Sequence, residues 1–141
     1  MIILDTNVIS ELMRPAPDGN VSRWIANQKT IHLAVTSITI AEIRRGLSRL
    51  PNGKRRKDLE ARFTAFIHEG FKARILPFDE FAADTYGEIA SSREKKGLHS
   101  DAVDLMIAAI ASHLNAAIAT RNTGDFEGCG LKLINPWEER S

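Results

Sequence analysis

The sequence predicts an α/β fold with a central, mostly parallel sheet of four to five strands flanked by helices. Two observations carry that prediction. Short apolar runs of strand length alternate with helical segments of ten or more residues, the pattern of parallel strands joined by crossover helices. Breakers stand between the segments: Pro15-Ala16-Pro17-Asp18-Gly19, Pro51-Asn52-Gly53 and Gly97.

The elements follow in order. Met1 to Leu4 is an apolar first strand, and a short helix runs from about Thr6 to Met13. Asn20 is the expected cap of the next helix, where Val21, Trp24 and Ile25 recur at helical spacing. Ile31 to Val35 is the second strand. Thr36 and Ser37 open a helix with Ile40, Ile43, Leu47 and Leu50 on one face. Lys54 to about Glu69 is another helix, striped by Leu59, Phe63, Phe66 and Ile67. Arg74 to Phe78 is the third strand. Asp79 caps a helix reaching Lys96, and Gly97 stops it. Ser100 is expected to cap a helix from Asp101 to Leu114. Ala116 to Thr120 is the fourth strand, and Lys132 to Ile134 a short fifth.

The chain has 141 residues and 43% hydrophobic residues, enough for one domain over 1–141 with one sizeable core. There is no internal repeat and no low-complexity linker. No apolar run approaches the ~20 residues of a membrane span. The opening Met1-Ile2-Ile3-Leu4-Asp5 lacks a basic region and meets an acid early, so a strand is expected rather than a signal peptide. Cys129 is the only cysteine, which excludes an internal disulfide and fits a reducing cytoplasm. A formal net charge of +1 excludes a uniformly basic nucleic-acid binder, so any such affinity must come from local patches or a metal.

In parallel sheets the functional crevice lies beyond the carboxyl ends of the strands. The acids at those places are the candidates. Asp5 follows the first strand, where a helix cap is its plain structural role. Glu42 lies early in the helix after the second strand and can pair with Arg45 or Arg49. Asp101 and Asp104 sit one turn apart at a helix start, where the dipole favours both. Asp104 also shares a face with Ile107, Ala108 and Ala111, and an acid on an apolar stripe needs a partner or a metal. Asp125 follows the fourth strand in a loop that also suits a turn aspartate. Carboxylates brought together repel unless protonated or bound to a hard cation. Magnesium or manganese takes such oxygen ligands and suits phosphodiester hydrolysis. His32, His68, His99 and His113 are scattered without zinc spacing.

Four stretches, in order, carry a family resemblance. Met1 to Ser10, with Asp5-Thr6-Asn7, resembles the first strand and acid of PIN domains. Ile40-Ala41-Glu42-Ile43-Arg44-Arg45-Gly46 is similar to their second signature, and Asp104-Leu105-Met106-Ile107-Ala108-Ala109 to the third. Ala119-Thr120-Arg121-Asn122-Thr123-Gly124-Asp125-Phe126 resembles the fourth, and Asn135-Pro136-Trp137 resembles the ending of the VapC and FitB toxin branch. The resemblance implies a three-layer PIN-like fold and a magnesium-dependent ribonuclease, a homodimer silenced by a small antitoxin. It implies that Asp5, Glu42 and Asp104 form the acidic core, with Asp5 and Asp104 holding the metal. Some relatives have an aspartate where this chain has Asn122, while others, similar to this chain, have the acid three residues later, so Asp125 is expected to be the fourth catalytic acid. Thr6 and Asn7 are expected to orient Asp5 or a water.

With RNA as substrate, Lys54-Arg55-Arg56-Lys57 and Arg44, Arg45 and Arg49 can engage phosphates, or be a solvated helix start. Phe63, Phe66 and Phe71 are expected in the core or on a partner surface. Two rivals remain. The first is a phosphoryl-transfer protein of similar architecture: a phosphatase would want a second acid at position seven, where Asn7 stands, and a receiver domain an acid after the central strand and a lysine late in the sheet, neither of which is found. A catalytically weak binding protein of the same fold would use the acids only for a basic partner.

Overall fold

A computed structural model describes residues 1–72 and 74–139. Ala73, Arg140 and Ser141, part of the predicted domain 1–141, lie outside the described residues. The strands are β1 (Ile2–Leu4), β2 (Leu33–Thr36), β3 (Ile75–Leu76), β4 (Ala117–Ala119) and β5 (Leu133–Ile134). The helices are α1 (Thr6–Leu12), α2 (Gly19–Ala26), α3 (Ser37–Ser48), α4 (Lys54–Gly70), α5 (Glu80–Lys95) and α6 (Ala102–His113). The five strands form a sheet in the order β3-β2-β1-β4-β5, and every neighbouring pair is parallel. The predicted α/β class, and β1 as its centre, are therefore what the chain forms.

Strand side chains alternate between two cores, as a period of two requires. Ile3, Ala34 and Ile118 face one side, where Ala82 of α5 and Ile107, Ala108 and Ala111 of α6 cover them. Leu4, Leu33, Val35 and Ala119 face the other, against Val8 and Ile9 of α1, Trp24 of α2 and Phe63 and Ile67 of α4. Helices on both faces leave the central strands dry, which explains their near-continuous apolar sequence. Phe63 and Phe71 are buried and Phe66 packs beside them, so the expected core role holds for these aromatics.

Several boundaries differ from the sequence reading, each for a local reason. Asp18, not Asn20, caps α2, because its carboxylate accepts from the amides of Asn20 and Val21. Asn20 instead donates to the Trp137 carbonyl at 2.8 Å. Asp101, not Ser100, caps α6 by accepting from the Val103 amide. In both cases an aspartate side chain takes the cap from its polar neighbour. The second strand begins at Leu33, because Thr30–His32 forms a 3-10 turn that leaves Ile31 71% exposed. The third strand shrinks to Ile75–Leu76, an edge pair beside β2.

Among the described residues, one cation is buried without a carboxylate partner. Arg93 of α5 is 3% exposed. Its Nη1 donates to the Glu127 carbonyl and lies 3.7 Å from Cys129 Sγ. Among the described residues its Nε has no partner. This arginine ties α5 to the loop after Phe126, where Gly128 takes a positive φ of 79° and packs near Leu98. Arg93→Ala removes that hydrogen bond and the packing of the buried stem, and is expected to lower stability by about 1–3 kcal/mol. Urea denaturation measures it; an unchanged midpoint would mean that water replaces the guanidinium without loss.

Candidate active site

Strand order reverses direction between β1 and β4, since the chain winds outward through β2 and β3 and returns to the other side of β1. The crevice of a doubly wound sheet opens there, beyond the carboxyl ends of the strands. Asp5 directly follows β1 and Thr120 directly follows β4. An open cleft of about 550 Å³ lies at this place, with Asp5, Glu42 and Asp104 in its wall.

Asp5 is 4% exposed and capped into α1 by its own side chain. Its Oδ1 accepts from the Thr6 amide at 2.8 Å. Its Oδ2 accepts from the Thr120 hydroxyl at 2.8 Å and from Asn7 Nδ2 at 3.4 Å. Thr120 is fully buried and accepts in turn from Asn7 Nδ2 at 3.3 Å and from the Asn122 amide at 3.1 Å. Asn7 also accepts from the Arg121 amide at 3.1 Å, which binds the loop after β4 to the start of α1. The bond that caps α1 and the bonds that hold Asp5 in the cleft wall are thus one arrangement. Asn7, which stands where a phosphatase of the rival kind would carry an acid, is a clamp.

Glu42 reaches the cleft because α3 starts at the end of β2 and packs on α1. Thr36 caps α3 by accepting from the Thr39 amide at 3.1 Å. Thr39 lies one turn before Glu42 on the same face, and its hydroxyl is 3.2 Å from that of Thr6. The Thr6 hydroxyl donates to Glu42 Oε1 at 2.6 Å. Glu42 has no ion pair with Arg45 or Arg49, the pairing its sequence position allowed.

Asp104 lies in the first turn of α6, and its pKa is pushed up to about 7. Burial is the main cause, followed by the charges of Asp5, Asp125, Asp101 and Glu42. Burial also raises Asp5, against the hydrogen bonds from Thr120 and Thr6, and the charges of Glu42 and Asp125 raise it further. The predicted acids therefore share one electrostatic field. Their roles in it differ. Asp101 is exposed and occupied as the α6 cap. Asp125 is exposed in a 3-10 turn (Thr123–Phe126) and acts on its neighbours by charge, while Asn122 is in the cleft wall. Among the described residues, no three His, Cys, Asp or Glu side chains stand close enough to hold one metal ion among them.

Four residues of the site had no role in the sequence reading. Thr120 and Thr39 are buried hydroxyls, and nothing in the sequence distinguishes them from ordinary strand-end and helix threonines. Glu11 lines the cleft at 7% exposure, paired with Arg14 at 3.0 Å and accepting from the Asp18 amide at 3.0 Å. Its signal was the i,i+3 spacing to an arginine. Trp137 closes one wall, with the Arg121 guanidinium 5.1 Å from its ring centre.

An α/β protein with an acidic cleft at the switch point of a parallel sheet is the class these observations define. The PIN domain profile matches residues 2–128. The chain is 41% identical over 138 residues to VapC ribonuclease Y4jK of Sinorhizobium fredii, covering 98% of this chain and 99% of that protein. It is 40% identical over 139 residues to Toxin FitB of Neisseria gonorrhoeae, covering 99% of this chain and 100% of that protein. It superposes with a TM-score of 0.93 on a chain in the crystal structure of FitAcB from Neisseria gonorrhoeae, at 40% identity, covering 99% of this chain and 100% of that one. The chain belongs to the PIN domain family.

The raised pKa of Asp104 fixes the sign of a pH dependence. The folded site holds this proton up to about pH 7, whereas an unfolded aspartate releases it near 3.8. Its contribution to stability is thus full below the unfolded value and is lost as pH rises through about 7. In chelator, Asp104→Asn is expected to melt above the wild type at pH 8, with the gap closing towards pH 5. Calorimetric scans across that range check it. A gap that widens at low pH would mean that Asp104 is stabilised, not strained, by its surroundings.

Proposed function

We propose that this chain is a magnesium-dependent endoribonuclease, with manganese as a substitute, and the toxin of a bacterial toxin–antitoxin pair. The observation that supports this most is the convergence of Asp5, Glu42 and Asp104 on one cleft, within reach of Asp125's charge. Relatives of about the same length and 40–41% identity carry the names VapC ribonuclease and Toxin FitB.

The donor set fits magnesium. It is all carboxylate oxygen, and no described ion pair involves these acids. Magnesium usually takes one or two carboxylates and fills its other positions with water and substrate phosphate, so a third protein ligand is not required. Asp5 and Asp104 would hold it, with Glu42 and Asp125 adding charge. When bound, such a cation supplies charge neutralisation at the phosphate and a more acidic water. The chain's own residues do the rest. Thr120, Asn7 and the Thr6 amide orient Asp5, and the Thr6 hydroxyl orients Glu42. With a pKa of about 7 before any cation binds, Asp104 exchanges its proton at neutral pH. Hydrolysis then joins a water oxygen to phosphorus and breaks the bond to a ribose oxygen, which takes a proton.

Single-turnover RNA cleavage tests the reading. EDTA is expected to abolish it. Asp104→Asn should lower the rate by roughly a thousandfold or more, since loss of the cation costs several kcal/mol at the transition state. Asp101→Asn should keep most of it, because asparagine caps a helix about as well as aspartate. Full activity in EDTA, or a greater loss from Asp101→Asn, would refute the assignment.

The proposed toxin works in the cytoplasm, where its RNA is. No described helix is long and apolar enough to cross a membrane. The proposed partners are an antitoxin that occupies the acidic cleft and a second copy of the chain. Phe81, 57% exposed and stacked on His113, and Leu114, 40% exposed, supply apolar surface for a dimer. Sedimentation is expected to give a dimer that Phe81→Glu dissociates; a wild-type monomer would refute it. Growth arrest on expression, relieved by the small protein of the adjacent reading frame, is expected of the toxin role.

A further inference from the structure

Beside the acidic cleft runs a second groove whose chemistry is the opposite. Met13, Pro15 and Leu59 form its floor, and Lys54, Arg55 and Arg62 its rim. We propose that this groove is a track for the phosphodiester backbone of one RNA strand, extending the substrate site away from the bond that is cut. The proposal rests on the ribonuclease reading and adds where the rest of the substrate lies.

Continuity is the first support. Met13 and Pro15 belong to the groove, and Arg14 between them lines the acidic cleft. A strand leaving the cleft past Arg14 therefore enters the groove at once. Charge is the second support. The ion pairs among the described residues are Arg14 with Glu11 and Arg56 with Glu60. Lys54, Arg55 and Arg62 are exposed and outside them. Asp58 also lines the groove, and leaves it net positive. Two other members of the basic run, Arg56 and Arg44, are committed elsewhere. Arg56 also donates to Asn52 Oδ1 at 2.8 Å, and Arg44 donates to Thr64 at 2.7 Å while covering the Phe63 ring at 4.9 Å. Lys57, Arg45 and Arg49 are exposed outside these pairs too, and the groove is set apart by gathering three such cations, Lys54, Arg55 and Arg62, in one lining.

The third support is a requirement. A cleft with four neighbouring acids repels a polyanion, and the net charge of +1 offers little long-range attraction. Cations must stand close to the path of the strand. Arg55 and Arg62 lie two turns apart on α4, about 10 Å along its axis. The groove floor has no aromatic ring for base stacking, so its binding should follow backbone charge and not sequence.

The test uses full-length protein carrying Asp104→Asn, so that the probe stays intact, and a labelled single-stranded RNA oligonucleotide followed by fluorescence anisotropy. Adding R55E and R62E should weaken binding at least about tenfold and flatten the slope of log affinity against log salt by about 1.4, two phosphate contacts' worth. The pair K95E and K96E makes the same change in net charge at the exposed C-terminal end of α5 and its cap, outside both clefts, and should leave affinity within about twofold. In otherwise wild-type protein, R55E with R62E should raise KM for RNA far more than it lowers kcat. Equal affinity and slope with and without R55E and R62E would overturn the proposal. So would intact RNA binding with loss of binding to a polyglutamate peptide, which would assign the groove to an acidic protein segment. Absence of magnesium-dependent cleavage by wild-type protein is a separate result, and refutes the ribonuclease reading itself.

Discussion

The hydrogen bond from the Thr120 hydroxyl to Asp5 Oδ2, 2.8 Å long, joins the ends of β1 and β4 where the sheet changes direction. Much of the site depends on it. A carboxylate at 4% exposure is costly to keep charged, and the usual remedy is a buried arginine or lysine. This fold uses neutral donors instead: a hydroxyl, a side-chain amide and a backbone N–H. They satisfy the oxygens without cancelling the charge. A guanidinium in the same place would make a stable ion pair and leave no negative field for a cation.

The same choice repeats around the cleft. Thr6 donates to Glu42, and the hydroxyls of Thr39 and Thr36 stand behind it, 3.4 Å apart. Threonine suits these positions for two reasons. Its branched carbon is stiff, so the hydroxyl points in few directions. It also tolerates strand ends, which is where Thr36 and Thr120 sit. The unneutralised charge then appears at Asp104, the least committed of the acids in the wall. It is the group that burial and four acidic neighbours push up to about 7.

The sequence displayed those parts of the molecule that depend on local pattern. The apolar runs located all five strands, and their period of two became the two cores that Ile3 and Leu4 divide between them. Asp5, Glu42 and Asp104 were legible because each follows a strand or opens a helix, and chain topology alone carries such residues to one edge. What stayed hidden depended on contacts across more than a hundred residues. Thr120 meets Asp5 from 115 positions away, and Asn20 meets Trp137 from 117. Where the loop after β4 carries Asn122 and Asp125 was equally out of reach: Asn122 lines the cleft, and Asp125 stays exposed in the 3-10 turn, outside the lining. Helix starts were misplaced by a residue or two because Asp18 and Asp101 compete with polar neighbours, and only the folded loop decides between them.

Charge is also arranged around the acids so that it stays local. Glu11 lies in the same wall, yet Arg14 and the Asp18 amide hold it, so its charge is offset where it stands. Without that pair the cleft would carry one more negative group facing any polyanion. Arg14 keeps 64% of its side chain exposed while making the pair, so the cancellation leaves its outer face available. Arg121, also in the cleft lining, lies over the Trp137 ring, a contact that leaves its in-plane N–H donors unused. Both arginines are therefore restrained by partners that do not exhaust them. On the proposed reading, acids that share a cleft with two such arginines would attract a small cation and leave donors for phosphate. A uniformly acidic cleft would do only the first, and a uniformly basic one only the second.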